Sequence, residues 1–132
     1  MGAESIAPRR VLVVDDEADF LVTYERLLRR EGYEVVTASS RGAGLEALAS
    51  ERPQLLISDL RLPDGDGLDV VRAARGALEP LPVIVVTGYP SAENRQAALA
   101  AGATTLLTKP FPAAMLLAAV QSSLSAAGRD QG

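Results

Sequence analysis

The chain has 132 residues, 48% hydrophobic and 23% charged, which fits one compact soluble domain and leaves no room for a second of ordinary size. It contains neither cysteine nor histidine, which excludes disulfides, thiolate or imidazole metal sites, a serine–histidine triad and a phosphohistidine on the chain itself. A formal charge of -4, with basic residues paired only at Arg9-Arg10 and Arg29-Arg30, argues against nucleic-acid binding through general charge.

The first ten residues hold no secretory signature, and no apolar run is long enough to cross a bilayer. The expectation is a cytoplasmic protein without membrane insertion, with a flexible tail over residues 1–8 and one domain over 9–125. Val11-Leu12-Val13-Val14 is an unbroken aliphatic run, the mark of a strand covered on both faces, and it stops at Asp15-Asp16-Glu17. Phe20, Tyr24, Leu27 and Leu28 then recur at helical spacing, so a first helix is predicted from about Ala18 to Glu31, with Gly32 past its end. Tyr33 to Ala38 reads as a second strand. Ser39 or Ser40 can cap a second helix through Leu45 and Leu48, which Pro53 stops.

Leu55-Leu56-Ile57 forms the third strand and delivers Asp59 at its carboxyl end, before the turn Pro63-Asp64-Gly65. Leu68, Val71 and Ala74 mark one face of a third helix that Gly76 and Pro80 end. Pro82 to Val86 is the fourth strand, closing in Thr87-Gly88. Ser91 opens an alanine-rich fourth helix that stops at Gly102, and Thr104 to Thr108 is a short fifth strand leading into Lys109-Pro110. Pro112 begins a fifth helix through Leu116, Leu117, Val120 and Leu124, expected to fray from Ala126 into a flexible tail over 126–132.

Five strands alternating with five helices on short connections specify a parallel sheet built from right-handed crossovers. The predicted fold is α/β, flavodoxin-like and doubly wound, with strand order 2-1-3-4-5. In such sheets ligands bind beyond the carboxyl ends of the strands. That edge is expected to gather Asp15, Asp16, Asp59, Thr87 and Lys109. Three acids against one ammonium leave a charge of -2, which one divalent ion balances; oxygen-only ligands favour a hard cation, Mg2+ rather than the larger cage of Ca2+. A carboxylate beside Mg2+ and an ammonium can attack a phosphoryl group, and the Thr87 hydroxyl is placed to bond the new oxygens and draw its loop inward.

Val13-Val14-Asp15-Asp16, Ser58-Asp59-Leu60-Arg61-Leu62-Pro63, Val86-Thr87-Gly88 and Lys109-Pro110-Phe111 together resemble the receiver domain of two-component response regulators. The likeness runs from about Arg9 to Leu124. It implies that Asp59 is the phospho-acceptor, that Asp16 binds Mg2+ directly and Asp15 through water, and that the Arg61 carbonyl is a further ligand. It also implies that Lys109 contacts the phosphoryl group and Thr87 reports its arrival. The implied donor is a histidine kinase or histidine phosphotransfer protein, and the implied output is contact with a downstream protein partner.

One position departs from the family pattern: an aromatic residue is usual three before the lysine, where this chain has Leu106. Tyr89, near the same loop, is a candidate to respond in its place, against the plainer reading of a rim residue. Arg61 and Tyr89 flank the side from which water would attack, so both are expected to slow hydrolysis, unless Arg61 contributes only its carbonyl. No charged residue lies between Lys109 and Arg129, so the fifth helix cannot supply the salt bridges of the family's winged-helix dimer. A flat contact with a partner helix, or a homodimer through another contact, stays open. The enzyme alternative, a haloacid-dehalogenase-like phosphatase, needs two aspartates separated by one residue, whereas Asp15 and Asp16 are adjacent. A second alternative is an interaction module with a vestigial site, which the complete set of acids, Thr87 and Lys109 speaks against.

Overall fold

The computed structural model describes residues 9–131, with side chains through Ala127, so the tail expected over residues 1–8 lies outside the described residues. Five parallel strands form one sheet: β1 (Arg10–Val14), β2 (Glu34–Ala38), β3 (Leu55–Asp59), β6 (Val83–Thr87) and β7 (Thr105–Thr108), in the order β2-β1-β3-β6-β7. This is the predicted 2-1-3-4-5 pattern. An antiparallel ladder of two residues a side, β4 (Arg61–Leu62) with β5 (Gly65–Asp66), lies between β3 and the third helix, where the sequence indicated only a turn.

The helices are α1 (Ala18–Arg30), α2 (Arg41–Glu51), α3 (Leu68–Arg75), α4 (Ala92–Ala101) and α5 (Ala113–Gln131). Ser40 and Ser91 cap α2 and α4, each accepting a hydrogen bond from the backbone three residues on, at 3.1 and 3.0 Å. The backbone of α5 is helical to Gln131, past the Ala126 at which the sequence reading began a tail, consistent with the strong helix propensity of the Ala126-Ala127 pair. Among the described residues, no helix is long and apolar enough to cross a membrane.

Every residue of β3 and β6 is buried, as the unbroken aliphatic runs require of strands covered on both faces. Successive residues feed opposite cores. Val11, Val13, Ile57, Ile84 and Val86 pack with Tyr24 and Leu28 of α1 and Leu116 and Val120 of α5, while Leu12, Val14, Leu56, Val83 and Val85 pack with α2, α3 and α4. At about 1.5–3 kcal/mol for each fully buried aliphatic side chain, these two layers supply the stability against which the polar edge is held. Register then fixes that edge: Val14 pairs with Ser58, Asp59 with Val86, and Thr87 with Thr108. The residues that follow β1, β3, β6 and β7 therefore emerge side by side.

Candidate functional site

Lys109, the single lysine of the chain, stands at the centre of this edge. Its amide donates to the Thr87 carbonyl at 2.8 Å, which ties the start of the β7–α5 loop to the end of β6. Its Nζ lies 2.8 Å from Asp59 Oδ2, 2.9 Å from Glu17 Oε1 and 2.8 Å from Asp15 Oδ2. Burial alone would depress the ammonium's pKa, yet the three carboxylates override it and hold the group above the usual lysine range. Lys109 is thus a fixed cation.

Asp15 is fully buried, its amide bonded to the Ala38 carbonyl and its Oδ1 accepting from the Glu17 amide at 2.9 Å. Its Oδ2 has the Lys109 charge beside it but no aligned hydrogen-bond donor. Burial pushes the Asp15 carboxyl above the ordinary range, against the pull of Lys109 and the Glu17 amide. Asp59 is nearly buried, its Oδ1 accepting from the Arg61 amide at 3.2 Å. Asp16 is exposed, and carboxylate oxygens of Asp15, Asp16, Glu17 and Asp59 all lie within 4.8 Å of one another.

The structure thus brings together Asp15, Asp16, Asp59 and Lys109, and adds Glu17, which the sequence reading noted only as the acid closing the Asp15-Asp16-Glu17 run. Four carboxylates against one ammonium leave -3, one more negative than the sequence count. A buried carboxylate oxygen without a donor, in an all-oxygen cluster of that charge, fits a hard divalent cation such as Mg2+.

Thr87 is buried at the end of β6, and its Oγ1 accepts from the Tyr89 amide at 3.0 Å, so it lies behind the pocket wall. The pocket is lined instead by residues including Asp16, Glu17, Phe20, Asp59, Arg61 and Lys109, with Gly88 and Tyr89 on the β6 side. Arg61 lays its guanidinium over the Tyr89 ring, 4.1 Å from the centroid, so the two candidate modulators form one stacked unit at the rim. Leu106 is half-buried on β7, paired with Val85 and packed against the α2–α4 core, away from this pocket.

The loop after Asp59 is clasped from below. Asp64 accepts hydrogen bonds from the Arg41 and Gly42 amides at 2.6 and 2.9 Å, capping α2 from the β4–β5 turn, and Arg41 bonds Asp69 of α3 at 2.8 Å. Gly67 crosses directly over β3: a Cβ there would fall 1.9 Å from the Asp59 carbonyl oxygen.

Comparison with known proteins places this arrangement. The model of the response regulator receiver domain matches residues 11–121. The transcriptional regulatory protein PrrA of Mycobacterium tuberculosis is 41% identical over 119 residues, 90% of this chain and 51% of that protein. The chain therefore spans about half the length of the curated relatives it matches. A CheY-like receiver domain protein from Methanospirillum hungatei superimposes with a TM-score of 0.89 at 33% identity, over 93% of this chain and 98% of that one. A response regulator from Burkholderia pseudomallei, solved with a phosphorylated aspartic acid and a calcium ion, gives 0.80 at 29%, over 94% and 73%.

Proposed function

This chain belongs to the response regulator receiver domain family, phosphorylation-activated signalling switches of two-component systems, and on that premise we propose that Asp59 is its phospho-acceptor. The observation that carries the reading is the Lys109 ammonium held 2.8 Å from Asp59 Oδ2 at the buried end of β3. A carboxylate oxygen of Asp59 attacks phosphorus, the new O–P bond forming as the bond to the donor breaks, and the donor departs with its electron pair. With a phosphohistidine donor, on a histidine kinase or phosphotransfer protein, the leaving group is an imidazole that takes up a proton. Lys109 offers the transferring oxygens a cation already in place, so little reorganisation is needed as charge develops.

Asp15, Asp16 and Asp59, with the Arg61 carbonyl, would hold Mg2+, and that ion would neutralise charge on the phosphoryl oxygens. Thr87 releases its bond to the Tyr89 amide and donates its hydroxyl proton to the phosphoryl group, moving the β6–α4 loop. The phosphorylated aspartate and the calcium ion of the Burkholderia pseudomallei relative support this assignment by likeness. Output passes to a downstream protein partner. α5 through Ala127 brings no charge to that contact, which disfavours a salt-bridged dimer through it.

The test is intact mass after incubation with acetyl phosphate and Mg2+. A single metal-dependent phosphoryl adduct, absent from Asp59→Asn, is expected. Absence of the adduct from wild type with both acetyl phosphate and a phosphohistidine donor would overturn the reading.

A further inference from the structure

The Lys109 ammonium has a fourth neighbour besides its three carboxylates: its Nζ lies 4.2 Å from the centroid of the Phe20 ring. Phe20 sits in the first turn of α1 and lines the same pocket. Its ring is braced by Tyr24, one turn on, at 6.2 Å between centroids and tilted by 36°. Tyr24 is braced in turn by Phe111, at 6.0 Å and 33°. Phe111 stands two residues beyond Lys109, so the bracket closes on the chain that carries the lysine. Tyr24 is only 1% exposed, which leaves its ring no room to swing away.

The four neighbours differ in kind. Asp59 and Glu17 hold Lys109 through N–H groups that must turn toward phosphoryl oxygens once Asp59 is modified, and Asp15 holds it by charge. A ring face attracts the ammonium through its quadrupole and takes up no particular N–H. It can keep its hold while the hydrogen bonds are exchanged. Without it, the flexible four-carbon stem would be free to follow Glu17, whose side chain is 56% exposed, out toward solvent.

We propose that Phe20 is a positioning residue for the phosphorylation reaction: its ring face fixes the Lys109 ammonium over Asp59 while the ammonium changes hydrogen-bond partners. This rests on the reading of Asp59 as phospho-acceptor. The role needs an electron-rich ring of this size at this place, which an aliphatic side chain of similar bulk cannot supply.

Phenylalanine bearing one, two or three ring fluorines is incorporated at position 20 of the full chain, alongside Phe20→Tyr and Phe20→Leu. Fluorination withdraws charge from the ring face while leaving its shape nearly unchanged. The initial rate of adduct formation with acetyl phosphate and saturating Mg2+ is expected to fall stepwise to about one fifth in the trifluoro protein and in Phe20→Leu, about 1 kcal/mol at 1.36 kcal/mol per tenfold. Phe20→Tyr is expected to stay within about twofold of wild type, and thermal midpoints to stay level across the fluorinated series. A second readout does not depend on phosphorylation. With carbon-13 lysine the protein gives one ε-methylene signal, expected upfield of a free lysine because of the Phe20 ring current, and to lose that shift in Phe20→Leu.

A rate independent of fluorination, or a lysine signal at its free position in wild type, would overturn the proposal while Asp59 phosphorylation stands. No Asp59-dependent adduct in wild type removes the parent reading and this one with it, whatever the lysine signal shows.

Discussion

Replacing Gly67 with alanine tests the site's geometry through a single methyl group. The backbone at Gly67 is right-handed helical (φ -61°, ψ -22°), so alanine meets no conformational objection there. The obstacle is space. The added Cβ would sit 1.9 Å from the Asp59 carbonyl oxygen, 2.9 Å from its carbon and 3.0 Å from the Leu60 carbonyl oxygen. All three are backbone atoms of the strand end and turn that carry the acid, and none can rotate aside. An ordinary contact requires the chain crossing to open by more than about 1 Å, which strains the Gly67 amide's 2.8 Å hydrogen bond to the Leu60 carbonyl. Overpacking of this kind costs about 1–3 kcal/mol, and a backbone clash belongs at the upper end. With a urea m-value of about 1–3 kcal/mol/M, a loss of about 3 kcal/mol moves the midpoint down by about 1–3 M. Gly88→Ala is the control, because its Cβ would have nothing within 4 Å and its φ is not positive; it should lie within about 1 kcal/mol of wild type. Urea titrations of the three proteins, followed by far-ultraviolet circular dichroism, decide the matter. A Gly67→Ala protein as stable as Gly88→Ala would refute the packing of the loop on β3.

Lys109→Met leaves Asp15 and Asp59 buried without their cation, a change expected to cost about 3–5 kcal/mol in metal-free buffer, checked by chemical denaturation; Mg2+ should restore part of it. Tyr24→Phe removes a buried hydroxyl that has no protein hydrogen-bond partner and should raise stability by about 1 kcal/mol, some 3–4 °C in Tm for a chain of this length; a lower Tm would show that the hydroxyl is satisfied in solution. Asp64 and Asp69 are held below the ordinary carboxylate pKa of 3.8, Asp64 first by the Gly42 and Arg41 amides and Asp69 first by the Arg41 guanidinium. Their folded-state pKa values lie below the unfolded ones, so their contribution is present above pH 3.8 and is lost as pH falls through the depressed values, to be followed by carbon-13 titration of the carboxyls. Asp15 has the opposite sign: its raised pKa means that metal-free protein is relieved of a cost as pH falls toward 3.8. Breaking the stacked rim with Arg61→Ala or Tyr89→Ala should shorten the half-life of the Asp59 adduct severalfold by intact mass, and unchanged decay in both would remove them as modulators.

The sheet was legible because β1, β3 and β6 are written as unbroken aliphatic runs, a pattern that only two-sided burial calls for, and because Gly32, Pro53 and Gly102 stop the helices between them. Asp15, Asp16 and Asp59 were legible for the same reason, since each follows or closes such a run, and Lys109 because it follows the short strand Thr105–Thr108. The β4–β5 ladder was not, since two residues a side carry no alternation to detect. Glu17 was overlooked because an exposed acid just before a helix is ordinary, and only the hydrogen bond to Lys109, 92 residues away, distinguishes it. Phe20 read as one more member of an apolar helical stripe. Its chemistry comes from a neighbour contributed by the loop after β7, which no local spacing reveals.

The bonds around the pocket divide by the length of chain they close. Those clasping the Asp59 loop to α2 join residues 22 and 23 positions apart, and a third, spanning 28, ties α2 to α3, so that loop cannot shift without dragging two helices. Those shaping the stretch after β6 are short-range: Tyr89 amide to Thr87, Asn94 side chain to the Tyr89 carbonyl, and the Ser91 cap on Asn94 span 2, 5 and 3 positions. A stretch tied mainly to itself can travel as a preassembled piece. The pocket therefore has an anvil on one side and a carriage on the other, and a push delivered at Asp59 is spent on the side that can roll.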